Sequence, residues 1–389
     1  MRKIRAQYIF DGYKLRKDAT VVVNNNEIVE VYENKSSSEE AGVEFYNGIV
    51  CPGFVNTHCH LELSHFYNKI EQHTGLSEFV SQISKIRKQL DFSLEACQKA
   101  DALMKKNGIV AVGDISNCED SFPIKEQSEI AYQTFIEIFD LHLDNSTAFD
   151  AAKAMFKKNR KNLKLSLSPH APYSCSKKVV AKIAAHAKEY EYPISIHNQE
   201  PKAENEMFLS KSGELYESLS SRNDFSNFKA TNKTSLQTMA PLFSEKNHVL
   251  FVHNVHTLQE DLDFLKSTRS SGSYTFVLCP LSNLFISNEF PPIDLFVKNN
   301  IPFALGTDSL ASNTTLSILD EIKSVQKNYT HLPLEKLLFA ATNQGARALK
   351  LNSKIGSFEK GKTPGVNLIE NLDLHNLKIT EETTVRVLV

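Results

Sequence analysis

The chain has 389 residues, 41% of them hydrophobic and 23% charged, and its 44 basic and 46 acidic side chains leave a formal net charge of −2. That length accommodates one large barrel or two domains, and the balanced charge argues against nucleic acid or an anionic membrane as partner. No apolar run reaches the roughly 18–20 residues of a membrane span, and MRKIRAQYIFDGYKLRKDATVVV at the N-terminus lacks the apolar core and cleavage site of a signal peptide.

In chain order, residues 4–33 predict short strands separated by turns at Asp11-Gly12 and Asn24-Asn25-Asn26. The segment is too short to stand alone. The tail, IGSFEKGKTPGVNLIENLD and TVRVLV, has the same Gly-rich, short-strand character. The two ends, residues 1–50 and 352–389, are therefore expected to meet in one small β-sandwich domain. Between them, residues 51–351 alternate apolar runs with helical patterns. The runs are GIVCPGFVNTHCH (48–60), IVAVGD (109–114), AYQTFIEIF (131–139), LKLSLSPH (163–170), PISIHNQE (193–200), HVLFVHN (248–254), YTFVLCP (274–280) and IPFALGTD (301–308). Helical periodicity appears at 77–90, 93–108, 177–190 and 257–267. Eight strand–helix repeats predict an α/β fold, a closed (β/α)8 TIM barrel. No GxGxxG follows the first strand to favour an open, doubly wound sheet. Residues 201–247 form one long connection, read as a lid or substrate wall, with a disordered polar loop at 220–233 as the alternative.

The residues that end these runs carry the chemistry. In a strand, positions i and i+2 share a side, so His58 and His60 aim at one point. His170 follows the fourth run, His197 ends the fifth with Glu200 three residues on, His253 ends the sixth, and Asp308 ends the eighth. A barrel brings all these ends to one rim. Three imidazoles and a carboxylate suit a divalent transition ion such as zinc or iron. Taken singly, each has a plainer reading: a hydrogen-bonded structural histidine, or, for Asp308, a helix cap or Asx turn. Glu62 either faces the pocket or makes a surface ion pair. Ser312 and Asn313 either line the site or cap a helix beginning near Leu316. Six cysteines, at 51, 59, 97, 118, 175 and 279, form no CxxC pair. A reducing, cytoplasmic setting is expected, without disulfides or an all-cysteine zinc site.

The segments PGFVNTHCH (52–60), SPHAPYSCS (168–176), IHNQE (196–200), VHNVH (252–256) and LGTDSLASN (305–313) resemble the amidohydrolase superfamily, in its mononuclear branch of purine and aminoheterocycle deaminases and chlorohydrolases. The resemblance covers nearly the whole chain and implies the barrel and terminal sandwich already inferred. It implies His58, His60, His197 and Asp308 as metal ligands, with Asp308 also taking the proton released by the attacking water. It implies Glu200 as proton shuttle to the ring and leaving group, and His253 as the group that polarises the attacked centre. His170 becomes a substrate contact, and Glu62 and Ser312 are carried as further substrate-lining candidates. Binuclear relatives carry a carboxylated lysine at the end of the fourth strand. SLSPH offers none, so a single ion is expected, zinc first and iron as the alternative. The tail GKTPGVNLIE departs from the family's usual Gly-x-x-Ala-Asp, which bears on a turn and not on the chemistry.

HLELS and HNQEPKAENE are similar to the aminofutalosine- and adenosine-type deaminases. They imply hydrolytic deamination of an amino-purine nucleoside or related aminoheterocycle, a small-molecule substrate. The rival readings are an imidazolonepropionase-like cyclic-amide hydrolase or a chlorohydrolase on the same scaffold, and, from another class, a non-catalytic barrel. A homodimer is expected from family habit alone.

Overall fold

A computed structural model describes residues 1–33, 41–141, 143, 146–226 and 228–389. The N-terminal strands β1 (Arg2–Phe10), β2 (Leu15–Lys17), β3 (Ala19–Asn24) and β4 (Glu27–Glu33) are joined by tight turns. Gly12 and Asn25 adopt the left-handed φ values, 99° and 53°, that such turns need. β5 (Val43–Pro52) then pairs in parallel with β1.

The apolar run 48–60 serves two sheets, because the chain leaves the terminal sheet at Gly53 and enters the barrel as β6 (Phe54–Cys59). A Cβ at Gly53 would lie 2.3 Å from Val110 Cγ1 and 2.7 Å from the Pro364 carbonyl, so the crossing is too close for a side chain.

β6, β7 (Ile109–Ser116), β8 (Ala131–Ile138) and β9 (Lys164–Pro169) form one parallel set in that order. β10 (Ile194–Asn198), β11 (Val249–His253), β12 (Tyr274–Leu278) and β13 (Phe303–Leu305) form the second. Backbone bonds close both seams. His197 N donates to His170 O at 2.9 Å, and Thr307 N and Asp308 N donate to His58 O at 3.1 and 3.0 Å. The result is the expected (β/α)8 barrel; each strand coincides with a predicted run, and β7 extends two residues beyond IVAVGD (109–114). Helices cover the outside as their patterns require. In Lys177–Tyr190, Ser176 caps the first turn by accepting from Val179 N, and Val179, Val180, Ile183, Ala184 and Ala187 are buried.

β14 (Val366–Glu370) returns antiparallel to β5, and β15 (Thr384–Val387) pairs with β14. The two chain ends thus meet, as expected, in one mixed seven-stranded sheet packed over Ile4, Ile9, Val21, Ile28, Val50 and Leu368. The connection 201–247 carries the helices Lys202–Ser210, Glu214–Ser220 and Ser235–Met239. Its polar stretch 220–233 is anchored by buried Phe225 and Phe228; residue 227 lies outside the described residues. Among the described residues, no helix is long and apolar enough to cross a membrane.

Candidate metal centre

Parallel strands in a barrel deliver their C-terminal side chains to one mouth, and the strand-end histidines converge there. The His58 ring centroid lies 5.0 Å from those of His60 and His197 and 5.8 Å from that of His253. Ligand atoms of His58, His60 and Asp308 lie within 4.8 Å of one another, as do those of His58, His197 and His253. His58 Nε2 and His60 Nε2 stand 3.6 and 3.4 Å from Asp308 Oδ1. Both spacings are long for hydrogen bonds. They match the separation of about 3.4 Å between two ligand atoms that share a tetrahedral ion at about 2.1 Å.

His58 tests whether an ion fits. It is fully buried, and neither ring nitrogen has a hydrogen-bond partner among the described residues. A buried imidazole without a partner is costly, and a cation at Nε2 supplies what is missing. Burial also holds the other rings neutral, the form that ligates. It pushes the His60 and His253 pKa values well below the ordinary imidazole value, and those of His170 and His197 down to about 4. His197 Nδ1 donates to His170 O at 2.8 Å, which leaves Nε2 bare for an ion.

The remaining groups are aimed by backbone and neighbours. Gln199, His253 and Asp308 all take left-handed φ, 50°, 73° and 57°, at the ends of three strands. Such conformations in non-glycine residues persist where surrounding contacts impose them. Asp308 Oδ2 accepts from Ser282 Oγ at 2.7 Å and Ser312 Oγ at 2.6 Å, which turns Oδ1 toward the histidines. The Asn283 amide donates to His253 Nδ1 at 3.1 Å, so the ring hydrogen sits on Nε2, 3.5 Å from Glu200 Oε1. Burial, then the charges of Asp308 and Glu204, raise the Glu200 carboxyl well above the usual range.

Two buried networks hold the ligand-bearing loops. Behind His60, Leu61 N donates to Asp114 Oδ1 at 2.7 Å, and Lys125, fully buried like Asp114, pairs with Asp114 and donates to Ser116 Oγ at 2.7 Å. Beside Glu200, Gln199 N donates to Glu204 Oε1 at 2.9 Å, while Gln199 Nε2 reaches Asp261 Oδ2 at 2.8 Å and Gln199 Oε1 accepts from Thr257 Oγ1 at 2.6 Å.

The site opens into a cavity of about 410 Å³. Glu137, His170, His197, Glu200, His253 and Asp308 line one side, and Phe79, Ile83, Leu219 and Ile286 contribute an apolar wall.

The chain matches the model of the amidohydrolase family over residues 49–386. It belongs to the amidohydrolase family. Among curated relatives it is 29% identical over 352 residues to an adenosine deaminase of Helicobacter pylori, covering 88% of this chain and 82% of the relative. Among solved structures it is similar to Helicobacter pylori aminofutalosine deaminase in complex with methylthio-coformycin, with a TM-score of 0.83, 24% identity, and coverage of 98% of this chain and 94% of the other. It is also similar to an adenosine deaminase from Xanthomonas campestris with bound zinc, with a TM-score of 0.75, 20% identity, and coverage of 98% and 87%. With the family goes metal-dependent hydrolase chemistry, in agreement with the reading of the strand ends.

His58, His60, His170, His197, Glu200, His253 and Asp308 are brought together by the fold. Ser312 and Glu62 stand behind the cavity wall and not on it. Ser312 is fully buried against Asp308, and the helix that follows starts at Ile318 with Ser317 as its cap. Glu62 accepts from Asn117 N at 3.0 Å and lies 3.5 Å from Arg87 Nη2. Asp114, Lys125 and Glu137 went unread in the sequence. The available signal was a carboxylate inside an apolar run, in IVAVGD and in FIEIF, which a solvated strand face does not explain.

Proposed function

We propose that this protein is a mononuclear zinc-dependent aminohydrolase that removes an exocyclic amino group from an amino-purine nucleoside. The carrying observation is the buried Glu200 carboxyl, its pKa raised by burial, 3.5 Å from His253 Nε2 in the cavity that Asp308 and His60 also line. Zinc in the bound relative and deamination in the names of the relatives agree with it.

His58, His60, His197 and Asp308 would hold the ion, and with one bound the site gains a water acidified toward a pKa of about 7. Glu200 gives its proton to a ring nitrogen, which makes the amino-bearing carbon attackable. The water oxygen bonds to that carbon, and Asp308 takes the proton the water loses. His253 Nε2–H stabilises the charge on that oxygen. Asp308 passes that proton to the amino nitrogen, the carbon–nitrogen bond breaks with loss of ammonia, and the proton left on the new oxygen returns to Glu200. The ring keeps a carbonyl.

The test is a screen of amino-purines and their nucleosides for ammonia release by zinc-loaded protein, with Glu200→Gln as control. The expected result is turnover in the parent and a loss of about 10²–10⁴-fold in kcat in the control, at unchanged zinc content. Ring opening or halide release without ammonia would replace this reading with one of the other hydrolase chemistries of the scaffold.

A further inference from the structure

One carboxylate in the cavity has no task in the chemistry above. Glu137 is the last residue but one of β8, its side chain only 4% exposed, and it lines the cavity beside His170 and His197. Its Oε2 accepts from Asn117 Nδ2 at 2.7 Å, which fixes the carboxylate plane. Its Oε1 has no hydrogen-bond partner among the described residues. A neighbouring donor, His197 Nδ1, is 3.6 Å away and already donates to the His170 carbonyl at 2.8 Å. A buried carboxylate oxygen without a partner, on a side chain that lines the cavity, is an acceptor waiting for a donor that the protein does not supply.

Glu137, His170 and His197 offer ligand atoms within 4.8 Å of one another, close enough for a second ion. The hydrogen bonding disfavours that use. His197 Nδ1 would have to give up both its hydrogen and its carbonyl partner, and His170 Nδ1 is engaged with Ser174 Oγ at 2.7 Å. The donor must then come from the substrate. A cavity of about 410 Å³ falls within the range that encloses a whole small molecule, not one ring alone. The part of a nucleoside with hydrogen-bond donors to spare is its sugar.

We propose that Glu137 is a substrate-specificity residue whose Oε1 accepts a hydrogen bond from a ribose hydroxyl, so that the site selects nucleosides with the 2′,3′-diol intact. This rests on the nucleoside reading of the cavity. A site built to bond a hydroxyl rejects the analogue that lacks it, because its own polar group is left unpaired.

The test is calorimetric binding of inosine and 2′,3′-dideoxyinosine to zinc-loaded protein, wild type and Glu137→Ala, with zinc content measured for both. Ammonia release from adenine, adenosine and 2′,3′-dideoxyadenosine is assayed in parallel. The wild type should bind inosine about tenfold or more tightly than the dideoxy compound, and Glu137→Ala should bring that ratio close to one at unchanged zinc content. Glu137→Gln, which keeps an acceptor oxygen and the side-chain volume, should retain part of the preference. Equal binding of the two ligands by wild type, an undiminished ratio in Glu137→Ala, no binding of either ligand, or loss of zinc from the alanine variant would overturn the proposal. Ammonia release from adenosine and dideoxyadenosine with equal kcat/KM would remove Glu137 from recognition and leave the deaminase standing. Diol-dependent binding without ammonia from any aminopurine would do the reverse.

Discussion

The barrel has a cavity at each end, each of about 410 Å³, and only one carries the chemistry of a site. The lower cavity lies at the strand starts, between Ile109, Ala131 and Lys164 and the terminal sheet residues Asn367, Val387 and Val389. Its polar groups reach solvent or one another: Lys105 pairs with Glu129, and Asn367 Nδ2 donates to Gly108 O at 2.8 Å. None of its described lining side chains has a buried polar atom without a partner. The upper cavity is lined by Glu137, whose buried Oε1 has no partner among the described residues, and by His60, His197 and Asp308, which surround the unpartnered His58 ring. Volume therefore does not distinguish the two. Unsatisfied buried polar atoms do, because each is costly and a group of them beside a cavity calls for a partner from outside the protein.

The strongest way to break this contrast is to take away what completes His58. Stripping the ion with a chelator should abolish measurable turnover, and zinc should restore it. His58→Ala should lose both activity and stoichiometric zinc, read by metal analysis of the purified protein. Turnover that survives chelation would mean that the upper cavity works without an ion.

Next in size is the support beneath His60. Lys125→Met leaves the Asp114 charge buried without its cation, and removing one partner of such a pair costs about 3–5 kcal/mol of stability. Urea unfolding of the zinc-loaded protein measures it. A loss below about 1 kcal/mol would show that water or rearrangement satisfies Asp114.

A smaller effect depends on pH. Burial raises the Glu321 carboxyl to about 8 although it accepts from Leu281 N and Asn313 Nδ2, each at 3.0 Å. The folded protein keeps this proton over a range in which the unfolded chain, with its ordinary value near 4.5, has released it. Stability should therefore fall as pH rises from about 4.5 to 8, by at most about 1.4 kcal/mol per pH unit for this group. Glu321→Gln should flatten that slope in unfolding curves taken at several pH values, and an unchanged slope would show that Glu321 ionises normally.

The smallest effect is expected at the lower cavity. Replacing Lys164 and Lys354 together by Ala should leave kcat/KM unaltered and change stability within about 0.5 kcal/mol per site. A drop in activity would show that the two ends of the barrel communicate.

Much of the upper site was legible in the chain because of one geometric fact. A run that ends in a polar residue places that residue on the rim, so His58, His60, His197, His253 and Asp308 could be read from where apolar sequence stops. Glu137 was not legible in that way, and Asp114, which does end an apolar run, does not line the cavity but supports the loop behind His60. Each lies within its strand, and the alternation of a strand does not say which of two buried faces points to the cavity. Ser312 shows the opposite limit. Its closeness in sequence to Asp308 suggested the site, but the loop turns it behind the carboxylate, where it orients Asp308 through a 2.6 Å hydrogen bond. The run 48–60 read as one strand because both halves are apolar. That its halves belong to different sheets depends on the close approach of Val110 and Pro364 at Gly53.

By itself, then, the sequence determined the alternation of strand and helix, the closed parallel barrel, and the set of polar side chains that meet at one rim, since these follow from periodicity and from the ends of apolar runs. Only the tertiary structure decided which polar groups are left without partners, which loops the Asp114–Lys125 pair and the Gln199 network hold, and which wall faces the substrate. Those outcomes depend on hydrogen bonds between residues tens to hundreds of positions apart, and their geometry exists only once the barrel has closed.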